Sequence, residues 1–313
     1  MEVFGLKSQS LRYKMDGFGS VQMYLTPPDY FGLAPPPHAP RHHHHHHHQH
    51  LMQQAATATA TATAAAATTM SGSTGASVPQ PRTTLVVGAS RGIGRELAQQ
   101  LARQQQPSGG EVIVSVRSAA DWDGQQQQHP NVRSLTLDQS SAKSVGEAAL
   151  AVAALDTLIV NAAIGDDERL LATSDARMAE YMDVNVTGVL RVVKAFLPAL
   201  RARRTRQIVL VSSTSGSITR QVDAKTGFRG PYAVSTAALN MVAVQLHNEL
   251  HASDGFTVVP IHPGWVATDM GRISGDGGMP VSKSAAGILK VVNNLTPQNS
   301  ATFYNYDGTT LPW

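Results

Sequence analysis

The segment Thr84-Leu-Val-Val-Gly88-Ala-Ser-Arg91-Gly92-Ile-Gly94 sets three glycines at the end of an apolar, β-branched run. Ile93, Leu97 and Leu101 then recur every fourth residue, which puts them on one face of a helix. Strand, glycine turn and helix make a corner that can hold a phosphate. Gly88 permits the sharp turn, and Gly92 removes a side chain where a pyrophosphate would press on the backbone. Gly94 lets the helix approach the strand closely. The helix N-terminus then offers free N–H groups and the positive end of its dipole. The chemistry outlined is nucleotide binding. A glycine-rich loop with no ligand is the alternative reading of these residues taken alone.

Such a corner needs a sheet to stand on. Beyond Leu85 to Val87, apolar runs at Glu111–Val116, Val132–Leu137, Asp156–Val160, Gln207–Val211, Phe256–Ile261 and Ala301–Tyr306 read as strands. Helix-compatible stretches separate most of them. This alternation of near-continuous apolar strands with helices predicts an α/β fold whose parallel sheet is covered on both faces. Ligands of such sheets bind at the carboxyl ends of the strands. The remaining motifs fall just after a predicted strand or on the helix that follows it.

In that order the motifs resemble those of the short-chain dehydrogenase/reductase family over residues 82–313. Gly88, Gly92 and Gly94 match its nucleotide fingerprint, and Asp138 after the third strand matches its adenine-binding acid. Asn161, Ala162 and Ala163 resemble its Asn-Asn-Ala-Gly, with departures at two positions. Asn185 matches its helix asparagine, Ser213 its serine and Tyr232 its tyrosine. Pro263 and Gly264 match the loop that shapes the nicotinamide pocket. Gly216-Ser-Ile218, Ala237-Ala-Leu-Asn-Met241, His262-Pro-Gly-Trp-Val-Ala-Thr-Asp-Met270 and the Leu311-Pro-Trp ending are similar to the C-factor-like and sniffer-like subgroup. That subgroup includes carbonyl reductases and cell-signalling proteins. The resemblance implies a single domain with a Rossmann-type doubly wound parallel sheet. It assigns cofactor contacts to Gly88, Ser90, Arg91, Gly92, Ile93, Gly94, Asn161, Ala162, Ala163, Pro263, Gly264, Val266 and Thr268.

It also implies a reaction: a hydride moves between a nicotinamide and a carbonyl or alcohol carbon. In the family the tyrosine supplies the carbonyl proton, a serine holds the oxygen and an asparagine holds a relay water. A lysine four residues after the tyrosine lowers its pKa and grips the ribose. Here that position is Thr236. Threonine still hydrogen-bonds a ribose hydroxyl but carries no charge. An ammonium about 5 Å from a phenolate contributes about 3 kcal/mol at an effective dielectric near 20, or roughly two pKa units. Without it the tyrosine is a poorer base, while its role as proton donor suffers less. The long interval from Ser213 to Tyr232 carries Arg220, Lys225 and Arg229, any of which could fold back as a substitute cation or simply face solvent. Two functions follow from different classes. One is an oxidoreductase acting on a small carbonyl or alcohol substrate. The other is a nucleotide-binding signalling or redox-sensing protein with little turnover.

The second strand ends Ser115-Val-Arg117, with no acid to hold a ribose 2′-hydroxyl. Arg91 and Arg117 border the adenosine ribose and suit a 2′-phosphate, so NADP(H) is expected over NAD(H).

Residues 1–81 differ in kind. Prolines, a histidine run at 42–48 and an Ala/Thr tract at 55–69 bury little apolar surface, so a disordered extension is expected there. The histidines read as a natural repeat or a tag, and Met70 as an alternative start. With no cysteine, disulfides and thiolate chemistry are excluded. The net charge of +3 is small, and the basic cluster Arg201-Ala-Arg-Arg-Thr-Arg206 reads as a solvated helix end, not a nucleic-acid surface. No run is long enough to span a membrane, and no secretory h-region is seen. A cytoplasmic protein without a resident metal is expected, and a homo-oligomer is compatible with the family.

Overall fold

The computed structural model describes residues 81–313 apart from 123–124 and 126–127, together with the backbone of 12–15 and 21–24. In the N-terminal unit, β1 (Arg12–Met15) pairs antiparallel with β2 (Val21–Tyr24). The expectation of disorder for 1–81, the histidine run included, otherwise falls outside the described residues.

The second unit carries seven strands in the order β5-β4-β3-β6-β7-β8-β9, all parallel. They are β3 (Thr83–Val87), β4 (Glu111–Val116), β5 (Val132–Thr136), β6 (Thr157–Val160), β7 (Gln207–Val211), β8 (Thr257–His262) and β9 (Tyr304–Asn305). The helices are α1 (Gly92–Gln105), α2 (Ala142–Leu150), α3 (Asp175–Met182), α4 (Gly188–Arg201), α5 (Ile218–Gln221), α6 (Gly230–Asp254) and α7 (Val281–Asn294).

Strand periodicity sorts the core onto two faces. Leu85, Ile113, Leu158 and Ile208 pack with Val192, Phe196 and Leu246 from α4 and α6. Val86, Val114, Ile159 and Val209 pack with Leu97, Leu101, Ile288 and Leu289 from α1 and α7. Each such side chain, withdrawn fully from water, contributes about 1.5–3 kcal/mol. Both faces are covered, so the strands read as apolar runs rather than alternating ones.

Six of the seven expected strands form with ends shifted by at most a few residues. The seventh is shorter: β9 pairs only through Tyr304 and Asn305, opposite Ile261 and His262. Ala301 adopts φ +59, a left-handed turn, so the strand cannot run through the first residue of the expected span.

The chain starts in the middle of the sheet and winds outward both ways. The reversal falls between β3 and β6, and it opens a crevice beyond their carboxyl ends. The basic cluster is spent on the fold. Arg201 pairs with Asp254 at 2.7 Å, and the Arg206 guanidinium donates to the carbonyls of Arg203, Arg201 and Asp254. No helix among the described residues is long and apolar enough to cross a membrane.

Candidate active site

The glycine corner stands at the crevice. Gly88 has φ +81, and its N–H donates to Ser115 Oγ at 3.0 Å. A β-carbon on Gly94 would lie 2.1 Å from the Gly88 carbonyl oxygen, so any side chain there would push α1 off the sheet. Asn161 locks the corner from the neighbouring strand. Its Nδ2 donates to the Gly88 carbonyl at 3.0 Å, while the Asn161 and Ala162 N–H groups both reach the Val87 carbonyl. No side chain caps α1, which leaves its first-turn N–H groups for an anion. These features fit a nucleotide pyrophosphate.

The loop after β8 arches towards the corner from the other side. A β-carbon on Gly92 would lie 3.3 Å from Thr268 Cγ2. Pro263 accepts from Ser284 Oγ at 2.6 Å, Gly264 turns at φ +84, and buried Val266 pairs with Met279. Thr268 Oγ1 accepts from the Gly271 N–H, which closes the loop on itself. Ile93 is half-buried against the α1 face of the core, Ser90 is half-buried, and Ala163 is exposed.

Ser213 leaves β7 as Tyr232 enters α6, and the two elements are bolted together. Ser212 Oγ donates to Asn240 Oδ1 at 2.6 Å, and Asn240 Nδ2 donates to the Gly216 carbonyl at 3.2 Å. Gly216 approaches α6 so closely that a β-carbon would lie 2.7 Å from Thr236 backbone carbon. Ser213 and Tyr232, 19 residues apart in sequence, thereby come within hydrogen-bonding reach of one another. The Tyr232 ring lies at the loop leaving β6: a β-carbon on Gly165 would come within 2.9 Å of it and of Met270 Sδ. Burial pushes the Tyr232 phenol above its ordinary pKa, and the hydroxyls of Ser213 and Thr236 pull it part of the way back.

Thr236 is buried, and its hydroxyl donates to the Tyr232 carbonyl at 2.6 Å. The hydroxyl carries a single proton, which this bond shares with the helix, so what it offers a phenolate is weaker than an ammonium. Asn185 sits in a π-helical turn, Asp183–Thr187, between α3 and α4. Its amide is largely committed: Oδ1 accepts from the Ile164 N–H, and Nδ2 donates to the Ile164 carbonyl and to Ser235 Oγ. The side chain ties the β6 loop to α6, and one lone pair remains for a water.

The three cations of the Ser213–Tyr232 segment go elsewhere. Arg229 pairs with Asp167 through two contacts, at 3.0 and 2.9 Å. Lys225 is exposed. Arg220, on α5, lines a cavity with His262. Burial and two hydroxyls govern the Tyr232 phenol, with no cation among its influences. The notion of a substitute cation thus finds no support in this geometry.

Of the residues expected to border an adenosine, Arg117 is exposed just past β4. Arg91 is exposed too, and it pairs with Asp269 of the β8 loop at 3.2 Å. Asp138 is exposed after β5, where its Oδ1 accepts from the Ser140 N–H at 2.9 Å.

Sequence reasoning missed three neighbours of the site. Phe228 packs edge-on against Tyr232, ring centroids 5.2 Å apart, and holds its ring in place. Asn240 bridges β7 to α6. His262 accepts from the Thr214 N–H at 3.3 Å, and its pKa is pushed down to about 4 by burial and the nearby Arg220 charge. Asn240 and His262 lie in the motifs quoted above, but their contacts run across the fold; Phe228, four residues before Tyr232, had a local spacing that could have found it.

Comparison with known proteins agrees with this picture. A family model described as short chain dehydrogenase matches residues 82–276. An uncharacterised oxidoreductase of Schizosaccharomyces pombe is 35% identical over 253 residues, covering 73% of this chain and 96% of the relative. Among solved structures, the NADPH-bound carbonyl reductase from chicken fatty liver superposes with a TM-score of 0.69 at 30% identity, covering 75% of this chain and 95% of the other. Carbonyl reductase Sniffer of D. melanogaster gives 0.67 at 26% identity, over 75% of this chain and all of the other (100%).

Proposed function

Because the chain belongs to the short-chain dehydrogenase/reductase family of oxidoreductases, we propose that it reduces a small aldehyde or ketone with NADPH, and that Tyr232 and Ser213 do the chemistry. The observation that carries this reading is the hydrogen bond between the Ser213 hydroxyl and the Tyr232 phenol, with the Tyr232 ring set against Gly165 of the loop that leaves β6. The bound nicotinamide would supply the hydride.

The protein's part follows from its own groups. The corner's N–H groups, with Ser90 and Arg91 in the turn, hold the pyrophosphate. Asn161, Ala162 and Ala163 border it along β6. Pro263, Gly264, Val266 and Thr268 shape the nicotinamide pocket from above. Asp138 serves the adenine. The Ser213 hydroxyl donates to the substrate oxygen and fixes its position. Tyr232, a phenol that is neutral at physiological pH and that burial holds more firmly so, gives that oxygen its proton. Thr236 leaves the phenol without an ammonium beside it, so the phenol stays protonated and in the form that donates.

NADPH is the preferred cofactor in this reading, held by Arg91 and Arg117. An exposed pair such as Arg91–Asp269 is worth about 0–1 kcal/mol, so a 2′-phosphate can draw the arginine away at little cost. Replacing both arginines by alanine is expected to weaken NADPH binding roughly tenfold or more and to leave NADH nearly unchanged. Fluorescence titration with the two cofactors checks it. Equal affinity of the parent protein for both would overturn the preference.

A second reading is favoured by one observation, the uncharged Thr236. Here the chain binds the nucleotide and signals or senses redox state with little turnover. Assay of a carbonyl panel with NADPH separates the two.

A further inference from the structure

A cavity of about 360 Å³ is lined by Thr214, the residue that follows Ser213 in the chain, and the charge in its lining is of one sign. Arg220 and Gln221 of α5 contribute from one side. Thr214 and His262, at the end of β8, contribute as well, and Thr226, Asn305 and Tyr306 add further polar groups. Among the described residues no carboxylate lines it, so the cavity holds one cation and several hydrogen-bonding groups.

Two details make this a built arrangement. First, α5 is pinned: Ser217 Oγ donates to the Pro312 carbonyl at 2.7 Å, and the Thr219 N–H donates to the Trp313 carbonyl at 2.9 Å. Arg220 thus has a fixed backbone, while its guanidinium has no ion-pair partner among the described residues. Second, His262 Nδ1 accepts from the Thr214 N–H, which assigns the ring proton to Nε2. The ring is neutral at physiological pH, so it donates without needing a charge. The Arg220 charge lowers its pKa and the Asp307 charge raises it, burial being the larger influence. The Asp307 carboxylate is already engaged by the N–H and hydroxyl of Thr309.

We propose that this cavity seats the carboxylate of an oxo-acid substrate, with Arg220 as its charge partner and His262 Nε2–H as a second donor. Thr214 lines the cavity and is the chain neighbour of Ser213, and an acid seated there must reach the hydroxyl pair with its carbonyl to be turned over. What is turned over rests on the oxidoreductase reading above; whether an anion binds does not.

The test compares levulinate with its neutral methyl ester on the full chain with NADPH. Expected is a preference for the acid in kcat/KM that falls roughly tenfold in Arg220→Ala, largely through KM, as for loss of one charge-assisted hydrogen bond. Arg220→Lys should recover part of it, and Arg220→Glu should reverse it. An equal rate for acid and ester, or a preference that survives Arg220→Ala, would overturn the proposal and leave the reductase reading standing. If neither compound turns over, the reductase reading is the one in difficulty. Levulinate binding by ligand-observed NMR then decides: weakening in Arg220→Ala supports the anion site, and no binding to the parent refutes it.

Discussion

Replacing Thr236 by lysine is expected to make this protein a faster reductase. The ammonium would stand near the Tyr232 phenol, where it is worth about 3 kcal/mol to a full phenolate. If roughly half that charge has developed in the transition state, the gain is about 1.5 kcal/mol, or roughly tenfold in kcat. The ribose grip would add to it. The same change should move the pH profile. In the parent, burial holds the phenol above its ordinary pKa, so alcohol oxidation should climb steadily through high pH as the tyrosine ionises. With lysine the climb should begin roughly two pH units lower. Position 236 is buried, so unchanged melting is the control for proper folding. A well-folded variant that binds NADPH yet shows neither a rate gain nor a shifted profile would contradict the role given to this site.

Tyr232→Phe carries the largest expected loss. It keeps the ring, its edge-on contact with Phe228 and the packing against the β6 loop, and it removes only the proton donor. General acid catalysis contributes about 10²–10⁴-fold, so steady-state turnover should fall by that factor in both the parent and the lysine variant. Cofactor affinity should hardly move. If phenylalanine retains most of the activity, the proton comes from elsewhere.

The sheet could be read from the chain because both of its faces are covered. All seven strands show as runs in the sequence; six form at close to the expected length, whereas β9, an edge strand, keeps only two paired residues of the six read there. The glycine corner was equally legible, since only glycine meets the approach of α1 to the Gly88 carbonyl. The Ser213–Tyr232 pairing came from family resemblance alone. What joins them is Asn240 and the packing of Gly216 on α6, contacts that no local spacing encodes. The same limit hid the partners of the charges. Asp167 takes Arg229 and Asp269 takes Arg91, each across a long sequence separation. Asn185 shows the converse case. Its position followed from the motif, but its amide turns out to hold Ile164 and Ser235 in place.

Carbonyl-dependent oxidation of NADPH by the full chain tests the central claim most directly. It should be run near neutral pH on aldehydes, ketones and oxo acids, with the Tyr232→Phe and Thr236→Lys variants alongside. The account predicts slow turnover of at least one substrate by the parent, faster turnover with lysine at 236 and none with phenylalanine at 232. Saturable NADPH binding without turnover in either the parent or the lysine variant would contradict it, and would leave a nucleotide-binding protein that has given up catalysis.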